Sequence, residues 1–211
     1  MLAKVKRKPF RKRQERYWSG KRIKIPRIYP RRILTDKQIF YDKNRVITSF
    51  VDKIKEGNNF EKSLGNMLKE IKKFKKEFLP KSIIKERWGN RAVADIIKTK
   101  SIFLSLGGEK GPRVRGCMDY ASVVTAATRI LLKKMNLNAK VYFLREPNHS
   151  LTSIKFSNKI IRVDAYRGTI RTINSVEGIK KYNGDLNGGC FLEGFGPRDI
   201  GLLSIEDFGK Y

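Results

Sequence analysis

Between Met118 and Met135 the sequence offers a helix with almost no polar side. Ala121, Ser122, Val123, Val124, Ala126, Ala127, Ile130, Leu131 and Leu132 run round it, and past the first turn charge enters only at Arg129, Lys133 and Lys134. A helix that is apolar all round has to be covered all round. It therefore belongs at the centre of a domain, and its small residues let neighbours pack close. Whatever covers it must come from the chain on either side.

Upstream the apolar spacing is helical. From Asn44 to Glu56 the stripe is Val46, Ile47, Phe50, Val51 and Ile54, stopped by Gly57. Asn58 followed by Glu61 reads as a capping box. It opens a second helix carrying Phe60, Leu64, Met67, Leu68, Ile71, Phe74 and Phe78, which Pro80 ends. Lysines 62, 69, 72, 73, 75 and 76 take its other side, read as a solvated face in preference to an anion-binding one. Asn90 caps a short helix with Val93, Ile96 and Ile97, and 105–116 (SLGGEKGPRVRG) reads as a loop.

Downstream the period drops to two. Ala139–Arg145, Leu151–Phe156 and Ile160–Ala165 read as strands, with Ser157-Asn158 turning between the last two, and 168–173 adds a fourth. The final stretch is glycine-rich and closes with a short helix near Ser204. Helices first and an antiparallel sheet second make the class α+β.

Charge divides the chain further. It holds 48 Lys and Arg against 20 Asp and Glu, a net +28, and residues 1–32 hold 14 of those cations against one acid, a net +13. This sets a basic amino-terminal arm, 1–32, before a domain at 33–211, whose helical part is 33–100 and whose core is 101–211. In the arm Lys6, Arg7, Lys8, Arg11, Lys12, Arg13, Arg16, Lys21 and Arg22 interleave with Phe10, Tyr17, Trp18 and Tyr29. Cations neutralise phosphates and aromatics stack on unpaired bases, so the arm suits nucleic acid, a ribosome or an acidic protein. A solvated tail, or a strap packed on its own domain, is the plainer reading.

Composition excludes other classes. A hydrophobic content of 40% is too high for a wholly disordered polycation. Two cysteines make neither a disulfide scaffold nor a four-cysteine zinc site, and no metal or cofactor is expected. No run approaches 18 apolar residues, so no membrane partner is expected, and the first residues lack the apolar stretch of a secretory signal. A cytoplasmic setting with reduced thiols is the expectation.

Three rare residues carry the chemistry. Cys117 starts the buried helix, His149, the single histidine, precedes a strand, and Asp164 ends the next one. A thiol attacks as thiolate, and a helix amino terminus stabilises that anion. Arg113 and Arg115 help if the loop holds them near. An imidazole can take the thiol proton and return it to a leaving amine, and a carboxylate behind it fixes its tautomer. A hairpin at Ser157-Asn158 places residues whose numbers sum to about 315 face to face. His149 and Asp164 fall close to that sum, near opposite one another within a bulge or a one-position shift. Taken singly, a buried cysteine or a strand-edge histidine is a packing residue. Asp119 reads as a first-turn carboxylate and Tyr120 as core.

The run Gly116-Cys117-Met118-Asp119-Tyr120-Ala121, the apolar helix after it, and the link Met135-Asn136-Leu137-Asn138-Ala139 into a strand resemble the transglutaminase-like superfamily. His149 matches its strand-opening histidine, and Asp164-Ala165 its strand-ending aspartate. Leu151 stands where many members carry an aromatic residue. The resemblance covers residues 88–170. It implies a papain-like core, with a cysteine-bearing buried helix packed on an antiparallel sheet carrying His and Asp. It also implies cysteine-dependent acyl transfer on a protein or peptide substrate. The oxyanion would be met by the Cys117 backbone N–H. Trp88 is the candidate second donor, since some relatives use an upstream indole, with plain packing as the preferred alternative. Cys190, after Gly188-Gly189, is the rival nucleophile in a permuted order, but no apolar helix follows it.

Two functions follow. One is an enzyme in which Cys117 attacks an amide, His149 shuttles the proton and Asp164 orients it. Water then completes a peptidase or amidase cycle, in preference to an amine completing a transglutaminase cycle. The other is an inactive module of the same fold that binds nucleic acid or another polyanion through its arm and surface.

Overall fold

The computed structural model describes residues 34–41, 43–79, 91–105, 116–146 and 149–200, together with two short strands at 17–18 and 21–22. The chain divides into two compact units, Met1–Arg31 and Arg32–Tyr211. In the first, β1 (Tyr17–Trp18) pairs antiparallel with β2 (Lys21–Arg22), setting Tyr17 against Arg22 and Trp18 against Lys21.

The second unit opens with a single helical turn, α1 (Asp36–Ile39). Thr35 and Gln38 form a reciprocal capping box there. Then come α2 (Arg45–Ile54), capped by Asn44, and α3 (Phe60–Lys72). The cap of α3 is Asn59, whose side chain accepts from the Lys62 amide at 2.9 Å, one residue later than the Asn58 expected.

The helix expected to run to Phe78 stops at Lys72, and residues 75–79 form a strand, β3 (Lys75–Leu79). Its partner is β4 (Ser101–Ser105), which follows α4 (Val93–Thr99) and runs parallel to it. The region 33–100 is thus not helical throughout. Lys100 takes a left-handed turn (φ +47°) and its carbonyl accepts from Lys75 N at 2.7 Å, starting the ladder. This long-range pairing overrides the helical spacing of Phe74 and Phe78. Asn90 lies outside the described residues.

At the centre stands α5 (Cys117–Lys134), buried along 15 of its 18 residues. It meets α2, α3, α4 and β4 on the helical side and β5 (Lys140–Glu146), β6 (His149–Lys155) and β7 (Ile160–Asp164) on the sheet side. Arg129 keeps a place on this helix because its guanidinium donates to Val141 O and Phe195 O, at 3.1 and 2.6 Å, and stacks 3.9 Å from the Phe195 ring.

With β8 (Thr169–Ile173) and β9 (Leu192–Gly194), the strands form one antiparallel five-stranded sheet in the order β8-β7-β6-β5-β9. The expected turn at Ser157-Asn158 holds, with Thr152 opposite Val163 and Lys155 opposite Ile160. The protein is accordingly of mixed α+β class, with helices packed on an antiparallel sheet. One helix was not foreseen. Between β8 and β9 runs α6 (Val176–Asn187), capped by Ser175, and its Tyr182 packs with Leu144, Leu151 and Ile160 of the sheet. The residues near Ser204 lie outside the described residues. With helices on both faces, β6 is buried at six of its seven positions.

Candidate active site

Gly116 fixes where α5 begins. A Cβ there would lie 2.5 Å from Leu104 Cδ2 and 2.9 Å from Ile102 Cγ2, so only glycine lets the chain pass β4 at this distance. The next residue, Cys117, is 4% exposed. No side chain caps this helix end, which leaves its first backbone amides to other partners.

Hydroxyls lock β6 onto α5. Thr152 Oγ1 donates to Ala121 O at 3.2 Å and lies 2.8 Å from Thr125 Oγ1, while Ser150 Oγ donates to Met118 Sδ at 3.5 Å. His149 opens the same strand, 8% exposed. The β6–β7 register, carried one step further, sets Leu151 against Asp164, so His149 is Asp164's diagonal neighbour on one face. No bulge is needed.

The structure brings the three residues together. His149 Nε2 lies 2.7 Å from Asp164 Oδ2, and Cys117 is near enough to raise the pKa of the same imidazole. An ionised carboxylate only accepts, so Nε2 carries the proton, and Nδ1 is the ring nitrogen left for other partners. Burial pulls the imidazole pKa down, but the hydrogen bonds to Asp164 and Cys117 and their charges outweigh it and lift it to about 9. Burial likewise pushes the Asp164 carboxyl up, yet the His149 bond, the Arg167 backbone amide and the nearby positive charge hold it below the usual range. That amide donates to Oδ1 at 3.0 Å, and the exposed Arg167 Nε stands 3.7 Å from Oδ2.

Two residues beside the site, Tyr166 and Arg91, were not singled out in the sequence. Tyr166 covers the imidazole edge-on, with centroids 5.9 Å apart, and leans on Tyr120 at 6.1 Å. Its place just past Asp164-Ala165 was the available signal. Asp119 faces away from the cluster. It takes Arg91 Nη1 at 2.7 Å and the Phe103 amide at 3.0 Å, and Arg91 also donates to Ser101 O and stacks 3.7 Å from the Phe103 ring. This buried pair ties the start of α5 to β4.

Cys190 is exposed in the turn after α6, its amide donating to Asp185 O at 2.9 Å. Trp88, Arg113, Arg115 and the arm residues Lys6, Arg7, Lys8, Arg11, Lys12, Arg13 and Arg16 lie outside the described residues, and Lys21 and Arg22 form β2. Among the described residues no three His, Cys, Asp or Glu side chains come together to hold a metal ion, and no helix is long and apolar enough to cross a membrane. A scan against protein families, a search of curated proteins and a search of solved structures each found nothing that matches this chain.

Proposed function

We propose that this protein is a cysteine-dependent hydrolase of amide or peptide bonds, built on a papain- or transglutaminase-like core. The observation that carries this reading is the 2.7 Å bond between the His149 imidazole and the Asp164 carboxylate, with buried Cys117 near enough to raise the pKa of the same ring. A purely structural histidine has no need of both a buried thiol and a buried carboxylate.

In this mechanism the Cys117 sulfur, as thiolate, bonds to the carbonyl carbon of the amide. The carbonyl electrons move to oxygen, where the Cys117 N–H donates to them. His149, protonated at neutral pH, gives the Nδ1 proton to the leaving nitrogen as the C–N bond breaks, leaving a thioester and a free amine. The now neutral imidazole takes a proton from water, whose oxygen attacks the thioester. The C–S bond breaks, and the acid and the starting thiolate–imidazolium pair result. Asp164 keeps the ring oriented throughout.

The test is labelling with a thiol-directed electrophile at neutral pH, followed by mass spectrometry. Cys117→Ala should abolish labelling at the site, and Cys190→Ser should leave it intact. Labelling confined to Cys190 would sink the assignment. Adding a primary alkylamine to an activated acyl substrate then separates the acceptors, since a hydrolase yields free acid even when the amine is abundant.

The charge of the arm supports an added role. Its net +13 over 32 residues fits a docking element for a polyanion such as nucleic acid, which would set where the cysteine chemistry takes place.

A further inference from the structure

A concavity lies among the helices, and none of its lining residues belongs to α5 or to the sheet strands that hold the candidate triad. It has a volume of about 410 Å³, within the range of small-molecule sites. Its apolar lining is Val46 and Phe50 of α2, Phe74 just past α3, and Ile97 of α4. Phe50 and Phe74 are themselves buried and meet edge to face, with centroids 6.3 Å apart.

The rim is predominantly basic. Arg45, Lys53 and Lys100 stand round it, and the one acid among the lining residues is Glu70. Both oxygens of Glu70 are taken, by Lys53 at 2.6 Å and by Lys73 at 2.7 Å. Those two ammonium groups hold its carboxyl at about 2, so its charge is matched at any ordinary pH. Among the described residues neither Arg45 nor Lys100 meets a carboxylate. Arg45 begins α2 and Lys100 closes α4 in its left-handed turn, so the two cations come from separate elements. An apolar lining with two uncompensated cations on its rim complements a ligand with an apolar body and an anionic end.

We propose that this concavity binds an amphiphilic carboxylate, of the class of a medium-chain alkyl or aryl acid. The hydrocarbon lies on Val46, Phe50, Phe74 and Ile97, and the carboxylate meets Arg45 and Lys100. Loss of apolar surface from water supplies affinity, and the charged hydrogen bonds supply selection for the anion.

The experiment is calorimetric titration of the full chain with decanoate, decanol and decyltrimethylammonium, with the two ionic amphiphiles below their micelle-forming concentrations and decanol below its solubility limit. Decanoate should bind with one-to-one saturation and the other two at least about tenfold more weakly, since charged hydrogen bonds of this kind exceed one decade in affinity. The double variant Arg45→Gln/Lys100→Gln should weaken decanoate about tenfold or more and leave decanol unchanged. Ser49→Trp, at an exposed rim position, should block all three. Circular dichroism checks that each variant is folded, and Lys69→Gln, on the exposed side of α3, serves as a charge control. Absence of saturable decanoate binding, equal affinity for the cationic amphiphile, or a loss in Lys69→Gln equal to that of the double variant would each overturn the proposal. Because no residue of this concavity belongs to the Cys117 site, none of these outcomes depends on whether Cys117 is labelled.

Discussion

The His149 imidazole stands between a thiol and a carboxylate, so its protonation reports on both. Asp164 is the partner that can be changed without touching the sulfur. In Asp164→Asn the neutral amide no longer holds the imidazolium, and the ring pKa should fall from about 9 toward its ordinary 6.5. If hydrolysis runs as proposed, kcat/KM should drop on the order of 10²- to 10⁴-fold, the usual scale for losing a positioned acid–base group. Its alkaline limb should also move to lower pH. An unchanged limb would show that the 2.7 Å contact has no part in the proton transfer. Stability gives a second check without any substrate. The folded pKa of His149 lies above the unfolded one, so between pH 6.5 and about 9 the folded state holds a proton that the unfolded state lacks. The linked stability is complete below 6.5 and lost as pH rises through 9. The melting temperature should therefore fall over that window in the native protein, and fall less in His149→Gln. Asp164 acts in the opposite sense, since its lowered pKa adds stability that disappears only as the solution is acidified through that pKa.

At the level of elements, α5 is buried along 15 of its 18 residues. Ala126 is 1% exposed inside it, and Ala126→Leu adds three carbons where both layers already touch. Overpacking of this kind costs about 1–3 kcal/mol, against about 0.5 kcal/mol or less for Lys133→Ala at the exposed end. Urea denaturation should read that order. Gly116→Ala should act at the site as well, because the new methyl meets Leu104 and Ile102 and shifts Cys117. The labelling rate at Cys117 should fall, and the denaturation midpoint should fall with it, since both side chains it meets are buried core residues. The same physics explains what could be read ahead of the structure. α5 was legible because a helix without a polar face has one possible place. The β6–β7 register was legible because a two-residue turn leaves one pairing, and that pairing placed His149 beside Asp164. β3 was not legible, because Phe74, Phe78 and the lysines continue a helical stripe, and only β4, 26 positions on in the ladder, turns the segment into a strand. α6 was hidden by its glycines. Gly178 is required because a Cβ would lie 2.8 Å from both Ile173 Cγ2 and Ser175 Oγ. The helix there rests on its cap and on Tyr182 packing, which tertiary contact supplies. Tyr166 over the imidazole and Arg91 under Asp119 depend on the same long-range placement.

Taken as a whole, the molecule separates a basic segment from a domain that closes on itself. Within the second unit the Asp36 carboxylate accepts the amides of Arg198 and Asp199, at 3.0 and 2.7 Å, and Leu34 O accepts from Arg198 Nε at 3.2 Å. These bonds join the start and the late part of that unit. Charge in the arm should then be removable without loss of the cysteine site. Replacing Arg11, Lys12, Arg13 and Arg16 with Gln in the full chain takes away four of its 14 cations. If the arm docks on single-stranded nucleic acid, each phosphate released lowers the slope of log K against log salt by about 0.7, so the slope should become shallower by up to about 3. Cys117 labelling should proceed at its native rate in the same variant. Binding titrations of a fluorescent oligonucleotide between 50 and 200 mM salt, the range over which such contacts are lost, read the first quantity, and mass spectrometry the second. A slope that does not change shows that these four cations make no phosphate contact. A labelling rate that drops with the charges means that the arm takes part in the site and is more than a means of delivery.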